Sequence, residues 1–475
     1  MRRQIGSLAI FALAAVSSPG AAEVGRTTVE RWQDGKRGAV SLTWDDGTAN
    51  QFRVAVPIMD RLGLPATFFI ITGEVAGSRY HGTFVGRPVR EIVAETARVS
   101  TNADNLLERA SAVGFLGYRG TLDYHTRAGA VYDESGDVAR ACRILDEGYA
   151  RVREGAFEAE EAARPTAGSS SWDELAVLAR RGYEFASHTV THPRLAVLDD
   201  ANLVYELEKS REDILGHLGF ENTFSVECPY GTENRRAVEA ALARYPLARN
   251  LMPDPFVEDL DRSSTKDPAG SSREYVRWQR GALSKTSMSS MKSWIETAAA
   301  HENIWLVLVF HGVDGIGWEP RTGADLGEYF TYIGSKRDAL WVATFRDVAK
   351  YMRERMHASV QSYREGAAIS VVVRHDLTGA EYDLPLTLRT EVPAEWTAVD
   401  VRQGGRSRQV PVVRDGPAAY ARYQAMPNAE DVTLTAQAPI SSISSDVVTH
   451  RSTKPNCPES FASRAASRKP VMAAR

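Results

Sequence analysis

The sequence predicts an α/β fold: a distorted (β/α)7-type barrel with a helical insertion after its second strand and a C-terminal β-sandwich-like domain. Three observations carry that reading. From Gly38 to about Met356, short apolar runs alternate with amphipathic stretches, as in parallel strands covered by helices. One long segment, residues 73–170, interrupts the alternation after the second run. Beyond Ala358 the alternation gives way to closely spaced runs of two-residue periodicity, the pattern of a small antiparallel domain.

The elements follow in chain order. Met1, Arg2 and Arg3 form a positive start, residues 5–16 an apolar run, and residues 17–22 a small-residue region. This reads as a signal peptide, residues 1–22, and predicts a secreted or periplasmic protein. The barrel is assigned to residues 23–72 and 171–357. Its strands are expected at 39–44, 66–71, 183–186, 223–226, 247–249, 305–310 and 341–343, and its helices near 51–62, 172–181, 203–218, 288–300 and 345–356. About seven strands suffice for a barrel or near-barrel. The insertion is too long for a structureless loop in a compact core. It is read as a mostly helical subdomain with helices at 89–99 and 138–154 and a loop at 165–171. Its Tyr80, Phe84, Phe115, Tyr118 and Tyr124 are read as core in preference to a sugar-stacking surface. Residues 252–283, rich in Pro, Asp and Ser, read as a long loop. A small β-rich domain spans 358–437, with strands expected at 368–375, 384–389, 396–401, 409–413 and 431–434. Residues 438–475, rich in Ser, Ala, Lys and Arg with few aromatics, read as a disordered tail.

Composition narrows the function classes. The 475 residues are 43% hydrophobic and 25% charged, with a net charge of −4. That balance is ordinary for a globular protein and points to neither nucleic acid nor a membrane surface. No later stretch is long and apolar enough to span a bilayer. Cys142, Cys228 and Cys457 lie far apart without a C-x-x-C, so neither a disulfide scaffold nor a cysteine-bound zinc is expected. The oligomeric state is left open.

Three polar sites follow predicted strands. Asp45 and Asp46, between Trp44 and Gly47, close the first strand. Adjacent carboxylates there are costly without a cation or proton between them, and neighbours on an extended chain take different directions. His188 and His192 follow a later strand; their i, i+4 spacing would place both imidazoles on one face of a helical turn. Two imidazoles and one carboxylate make a three-ligand site with open positions, suited to Zn²⁺ or another late divalent metal. His311 ends the apolar strand 305–310, where an acid or base would meet the other groups.

Asp45-Asp46, His188-x-x-x-His192, Pro229-Tyr230-Gly231 and His311 occur in an order that resembles the polysaccharide deacetylases, the NodB-homology group of carbohydrate esterase family 4. Trp172 at a helix start and Trp341 to Phe345 add to the resemblance, which covers roughly residues 38–72 and 171–356. It implies one divalent metal ion, zinc first, with cobalt, nickel or manganese as alternatives, on Asp46, His188 and His192. It implies Asp45 as the general base toward a metal-activated water and His311 as the general acid toward the leaving amine. It also implies Tyr230, through its backbone N–H, as an oxyanion donor, with Pro229 and Trp318 in the substrate-binding set. The implied function is removal of N-acetyl groups from an amino-sugar polymer or oligomer: chitin-like, peptidoglycan or exopolysaccharide. An O-acetyl esterase on acetylxylan or a related polysaccharide, and a non-catalytic carbohydrate-binding protein on the same fold, are the alternatives.

The sequence departs from the family pattern in one place. Two residues before Pro229, where relatives often carry an Arg beside the base, stands Glu227. A carboxylate facing Asp45 would raise the pKa of that base. Either Glu227 faces elsewhere or another cation takes over, and Arg249 is the candidate. Asp254 is the candidate for the carboxylate that orients the acid histidine.

Overall fold

A computed structural model describes residues 23–159, 170–231 and 233–437. The signal peptide (1–22), most of the 165–171 loop and the tail (438–475) read from the sequence lie outside the described residues.

The strands, in chain order, are β1 (Thr27–Val29), β2 (Gly38–Asp46), β3 (Thr67–Ile70), β4 (Glu184–Ser187), β5 (Ser225–Val226), β6 (Leu247–Ala248), β7 (Val257–Leu260), β8 (Tyr275–Gly281), β9 (Ile304–Phe310) and β10 (Leu340–Val342), followed by β11 (Ala358–Glu365), β12 (Ala368–His375), β13 (Leu386–Glu391), β14 (Ala398–Gln403), β15 (Arg406–Asp415), β16 (Ala418–Ala425) and β17 (Val432–Ala436). β2 to β10 make a nine-stranded parallel sheet in the order β6-β5-β4-β3-β2-β9-β8-β7, with β10 beside the first half of β2. The remaining eight make an antiparallel sheet, β1-β13-β16-β15-β14-β17-β12-β11, around a core of its own that includes Val371, Leu388, Val401 and Leu434.

Alternation along the parallel strands sorts the two faces. Val40, Leu42 and Trp44 of β2, with Leu306, Leu308 and Phe310 of β9, pack under helices that include Val56–Leu62, Met288–Ala300 and Gly323–Ser335. Ala39, Trp305, Val307 and Phe69 point the other way and meet the helix Phe345–Met356. Asp45, two residues beyond Thr43 and six beyond Ala39, falls on this inner face. The same face holds Arg249, Arg277 and Gln279, all buried.

The parallel sheet is not closed by strand pairing. Side chains close the seam between its ends instead. Arg277 of β8 donates from Nη1 to the Ala248 carbonyl (3.0 Å) and from Nε to Asp259 of β7 (2.7 Å). Gln279 donates to the Arg249 carbonyl (3.2 Å). These strands correct the reading of 252–283 as a loop. β8 hides its period because its inward residues are an arginine and a glutamine, buried on carbonyls and a carboxylate.

Two further corrections concern the elements. β1 pairs with β13, Thr27 opposite Thr390, and so joins the C-terminal antiparallel sheet instead of the parallel one. Helices Arg235–Leu242 and Gly323–Ser335 and strands β11 and β16 were not foreseen. The insertion is helical as expected, with helices Val89–Glu95, Leu106–Val113, Leu122–Ser135 and Val138–Arg153 around Ile92, Ala110, Tyr124, Leu145 and Tyr149. Among its aromatics, Tyr124 is buried in that core and Phe84 packs against it, whereas Tyr80 hydrogen-bonds Glu212.

Removing one partner of a buried ion pair costs about 3–5 kcal/mol, because the other charge stays behind. Arg277→Ala leaves Asp259 and the Ala248 carbonyl without the guanidinium. Urea unfolding followed by far-ultraviolet circular dichroism should show a loss of that order; a loss below about 1 kcal/mol would remove Arg277 from the seam.

Candidate active site

Register places the site. Trp44 lies opposite Phe310, Ile70 opposite Ser187, Ser187 opposite Val226, and Val226 opposite Ala248. The next residues on β2, β9, β4, β5 and β6 are Asp45, His311, His188, Glu227 and Arg249, all at the C-terminal rim of one sheet. Backbone hydrogen bonds carry the register into this layer: His188 N–H to Ile70 O, Glu227 N–H to Ser187 O and Arg249 N–H to Val226 O. Gln51 ties the two central strands, donating from Nε2 to the carbonyls of Asp45 (2.5 Å) and His311 (2.9 Å).

A cavity of about 320 Å³ opens above this layer, lined by Asp45, Asp46, His188, His192, Tyr230, His311 and Trp318, and also by Arg194, Glu227, Gly231 and Arg262. Of the site residues that the resemblance implies, only Pro229 does not line it; it is buried at the start of the Pro229–Gly231 turn. Arg249 and Asp254 do not line it either.

Asp46, His188 and His192 form a group that could hold a metal ion, with one ligand atom from each within 4.8 Å of the others. The Nε2 atoms of His188 and His192 stand 3.8 and 3.6 Å from Asp46 Oδ1. Ligand atoms about 2.1 Å from a tetrahedral ion lie about 3.4 Å apart, so the spacing fits. His188 Nδ1 hydrogen-bonds the Glu227 carbonyl at 3.0 Å, which makes Nδ1 the donor and leaves Nε2 as a lone-pair atom facing Asp46. Burial pushes His188 down to about 4 and His192 down to about 3, so both imidazoles are neutral ligands at neutral pH. Burial, and then the charges of Asp45 and Glu74, push Asp46 up to about 7. A carboxylate so destabilised is one that a cation would satisfy.

The His188–His192 segment is not a helical turn, which corrects the expectation from spacing. Thr189 and His192 adopt left-handed backbone (φ 69° and 60°), and the two rings meet at 4.7 Å. The buried Glu206 imposes this loop. Its Oε2 accepts from the Val190 and Thr191 N–H groups (2.8 and 2.9 Å), and its Oε1 from the Thr191 hydroxyl (2.7 Å). Asp46 (φ 76°) and Tyr230 (φ 67°) are left-handed as well, so the strained backbone gathers at this rim.

Arg249 answers the Glu227 question. Fully buried, it lies between the two carboxylates: Nη1 to Asp45 Oδ1 2.5 Å, Nη2 to Asp45 Oδ2 2.7 Å, and Nη2 to Glu227 Oε1 2.8 Å. Burial acts to raise both acids, with opposite results. On Asp45 the charges of Arg249 and His311 and the hydrogen bonds from Arg249 outweigh burial and hold it well below the usual carboxylate range. On Glu227 burial prevails over Arg249 and pushes it up to about 8. The second cation is thus supplied from β6, the next strand over.

His311 Nε2 sits 3.3 Å from Asp45 Oδ2. Burial pushes it down to about 4. Its buried Nδ1 has no hydrogen-bond partner among the described residues. Asp254 does not orient it: Asp254 pairs with Arg353 at 3.0 Å. Two exposed aromatics flank the cavity. Trp318 meets the His311 ring edge-on at 4.6 Å, and Tyr230 packs against His192 at 4.7 Å.

Sequence reasoning missed Glu206, Arg194 and Arg262. Glu206 left a trace, since it shares the buried stripe of the helix Asp200–Leu218 with Leu203, Leu207 and Ser210. A carboxylate on an apolar stripe signals a buried acceptor.

Glu206→Ala should weaken zinc binding about 10- to 100-fold by isothermal titration calorimetry, as loss of a ligand-orienting partner does. Undiminished affinity would mean that the loop holds its shape alone. Asp46 carries a proton below its raised pKa of about 7, and that proton must leave as a cation binds. Affinity should therefore be flat above pH 7 and fall about tenfold per unit as pH drops below it. Calorimetry in buffers of different ionisation enthalpy should find close to one proton released at pH 6 and none at pH 8.

Comparison with known proteins adds the family. The profile described as polysaccharide deacetylase matches residues 33–106 and 150–246. A gellan lyase from Bacillus sp is 26% identical over 279 residues, 55% of this chain; the chain spans only 11% of that protein's length. Two solved structures are similar. The Xyl-CE4 domain of a multidomain xylanase from the hindgut metagenome of Trinervitermes trinervoides is 13% identical, covering 66% of this chain and 89% of that one, with a TM-score of 0.29. A family 4 carbohydrate esterase from Streptomyces lividans, in complex with acetate, is 14% identical, covering 64% and 92%, with a TM-score of 0.29. At such scores the fold rests on the sheet described above. The segments that supply Asp45, Asp46, His188, His192, Glu227 and Tyr230 are those that match the polysaccharide deacetylase profile, so over them the chain is similar to that family.

Proposed function

We propose that the protein is a metal-dependent hydrolase that removes N-acetyl groups from an amino-sugar polymer or oligomer outside the cytoplasm. The observation that carries this reading is the pairing of an ionised Asp45 with a neutral His311 at 3.3 Å, beside a His-His-Asp group in one cavity. A pure binding site needs no such pair. The signal-like residues 1–22 support secretion or a periplasmic location.

Asp46, His188 and His192 would hold one divalent ion, zinc in the first place. When bound it would supply Lewis acidity toward the acetyl carbonyl and toward the attacking water. Asp45, kept ionised by Arg249, takes a proton from that water. His311 is neutral in the resting site. It receives the proton across the 3.3 Å contact and gives it to the departing amine, so one proton serves both steps. The Tyr230 N–H, on a left-handed residue at the rim, is available to the developing oxyanion, where one good donor is worth about 3–4 kcal/mol. The exposed Trp318 ring beside the cavity offers a surface to sugar.

One feature favours O-deacetylation as a second reading. Among the described residues, His311 has no carboxylate on Nδ1, and an ester's leaving group demands less of the acid than an amide's does.

Acetate release from N-acetylglucosamine oligomers with added zinc tests the proposal. Asp45→Asn and His311→Ala should each lower kcat by roughly 10²–10⁴-fold while zinc affinity stays within a few-fold of wild type. Zinc-loaded protein that frees no acetate from amide or ester substrates would overturn it. If His311→Ala slows the amide far more than acetylxylan, the first reading stands; equal and small penalties would favour the second.

A further inference from the structure

Four arginines surround the candidate site, and three of them have carboxylate partners. Arg249 lies on Asp45 and Glu227. Arg277 lies on Asp259. Arg194 lies within 3.6 Å of Asp133 and 3.3 Å of Glu134, and over the Tyr230 ring at 4.3 Å. Arg262 is different. It lines the cavity and is half-buried, yet no carboxylate among the described residues lies within ion-pair distance of it. Its charge is felt at Glu227, Glu233 and His311 without a contact to any of them.

Its position is built. Arg262 follows β7 in a turn whose start is fixed by Asp261, which accepts from the Ser263 N–H (2.9 Å) and hydroxyl (2.7 Å). Arg280 donates to the Ser264 carbonyl at 3.2 Å and stacks on Trp278 at 4.7 Å, which pins the far side of the turn. The guanidinium lies against Gly231, where a Cβ would collide with its Nη2. A pre-positioned guanidinium that lines a small cavity, with no carboxylate on it among the described residues, is a fork for a planar anion. The charge ledger agrees. Asp45 is offset by Arg249, and a divalent ion held on Asp46 would add positive charge to the cavity that Arg262 lines.

Resting on the deacetylase reading, we propose that the substrate is an acidic acetylated glycan, and that Arg262 binds a carboxylate borne on or next to the acetylated sugar. Arg262 is thus a specificity-determining residue. A uronic acid and a lactyl ether on an amino sugar both present this planar anion.

The test uses zinc-loaded, full-length protein and matched substrates. One pair is an O-acetylated oligouronate and its carboxyl-reduced neutral counterpart. The other is an N-acetylmuramic-acid-containing oligosaccharide and the corresponding N-acetylglucosamine oligomer. Wild type should favour the acidic member of at least one pair by about tenfold or more in kcat/KM, mostly through KM, and lose that preference in 0.5 M NaCl. The pair that shows the preference identifies the carboxylate. Arg262→Gln, which removes the charge, should cut the acidic-to-neutral ratio about tenfold, and Arg262→Lys should restore part of it. Calorimetric binding of the acidic oligomer should weaken in parallel. An unchanged ratio in Arg262→Gln, or neutral substrates turned over as well as acidic ones by wild type, would overturn the proposal while leaving deacetylation intact. Failure to release acetate from any substrate would overturn both readings together.

Discussion

The rim of the parallel sheet depends on one buried arrangement, the Arg249 guanidinium held between Asp45 and Glu227. Three ionisable groups without solvent are expensive to bury, and their attraction offsets that only when geometry is tight and the remaining valences are met. Here the framework supplies both. The Thr43 hydroxyl accepts from Arg249 at 3.3 Å, the Phe69 ring lies under the guanidinium at 4.9 Å, and Gln279 caps the Arg249 carbonyl. The arrangement joins three strands, β2, β5 and β6, at the level where their pairing ends. It also separates two acids that would otherwise repel. Asp45 receives two hydrogen bonds and is ionised, whereas Glu227 shares one nitrogen and leaves Oε2 without a partner.

That asymmetry explains how a glutamate can stand two residues before Pro229 while Asp45 stays ionised. The cation beside Asp45 stands at the end of β6, and Glu227, at the end of β5, contributes its backbone: the Glu227 carbonyl fixes the His188 tautomer. Glu227 thus links the Arg249–Asp45 pair, through its side chain on Arg249, to His188, through its main chain.

The motifs made much of the site legible, because Asp45, Asp46, His188, His192, Tyr230, His311 and Trp318 all line one cavity. Their spacing did not reveal local shape. An i, i+4 pair suggests a helix, but the imidazoles meet through left-handed Thr189 and His192, held by a glutamate fourteen residues further on, and such support is tertiary. Apolar strands such as β9 were legible for the same reason that they pack on both faces. β8 was not, because Arg277 and Gln279 look like surface residues until the carbonyls that receive them are known. The extra cations of the rim, Arg194 and Arg262, lie outside every motif.

β1 links the two ends of the described chain. The Thr27 hydroxyl meets that of Thr390 at 2.8 Å, a separation of 363 residues. In a ribosome's order of work, β1 precedes the other described strands and waits for β13, far later in the chain. Until β13 arrives, its backbone groups have only water for partners, and the antiparallel sheet lacks an edge. A chain stopped short of residue 386 could still assemble its parallel sheet around the rim cluster, yet would leave that first strand loose as a template for pairing with a neighbour. The antiparallel sheet therefore gains its β1 edge only once β13 has been made.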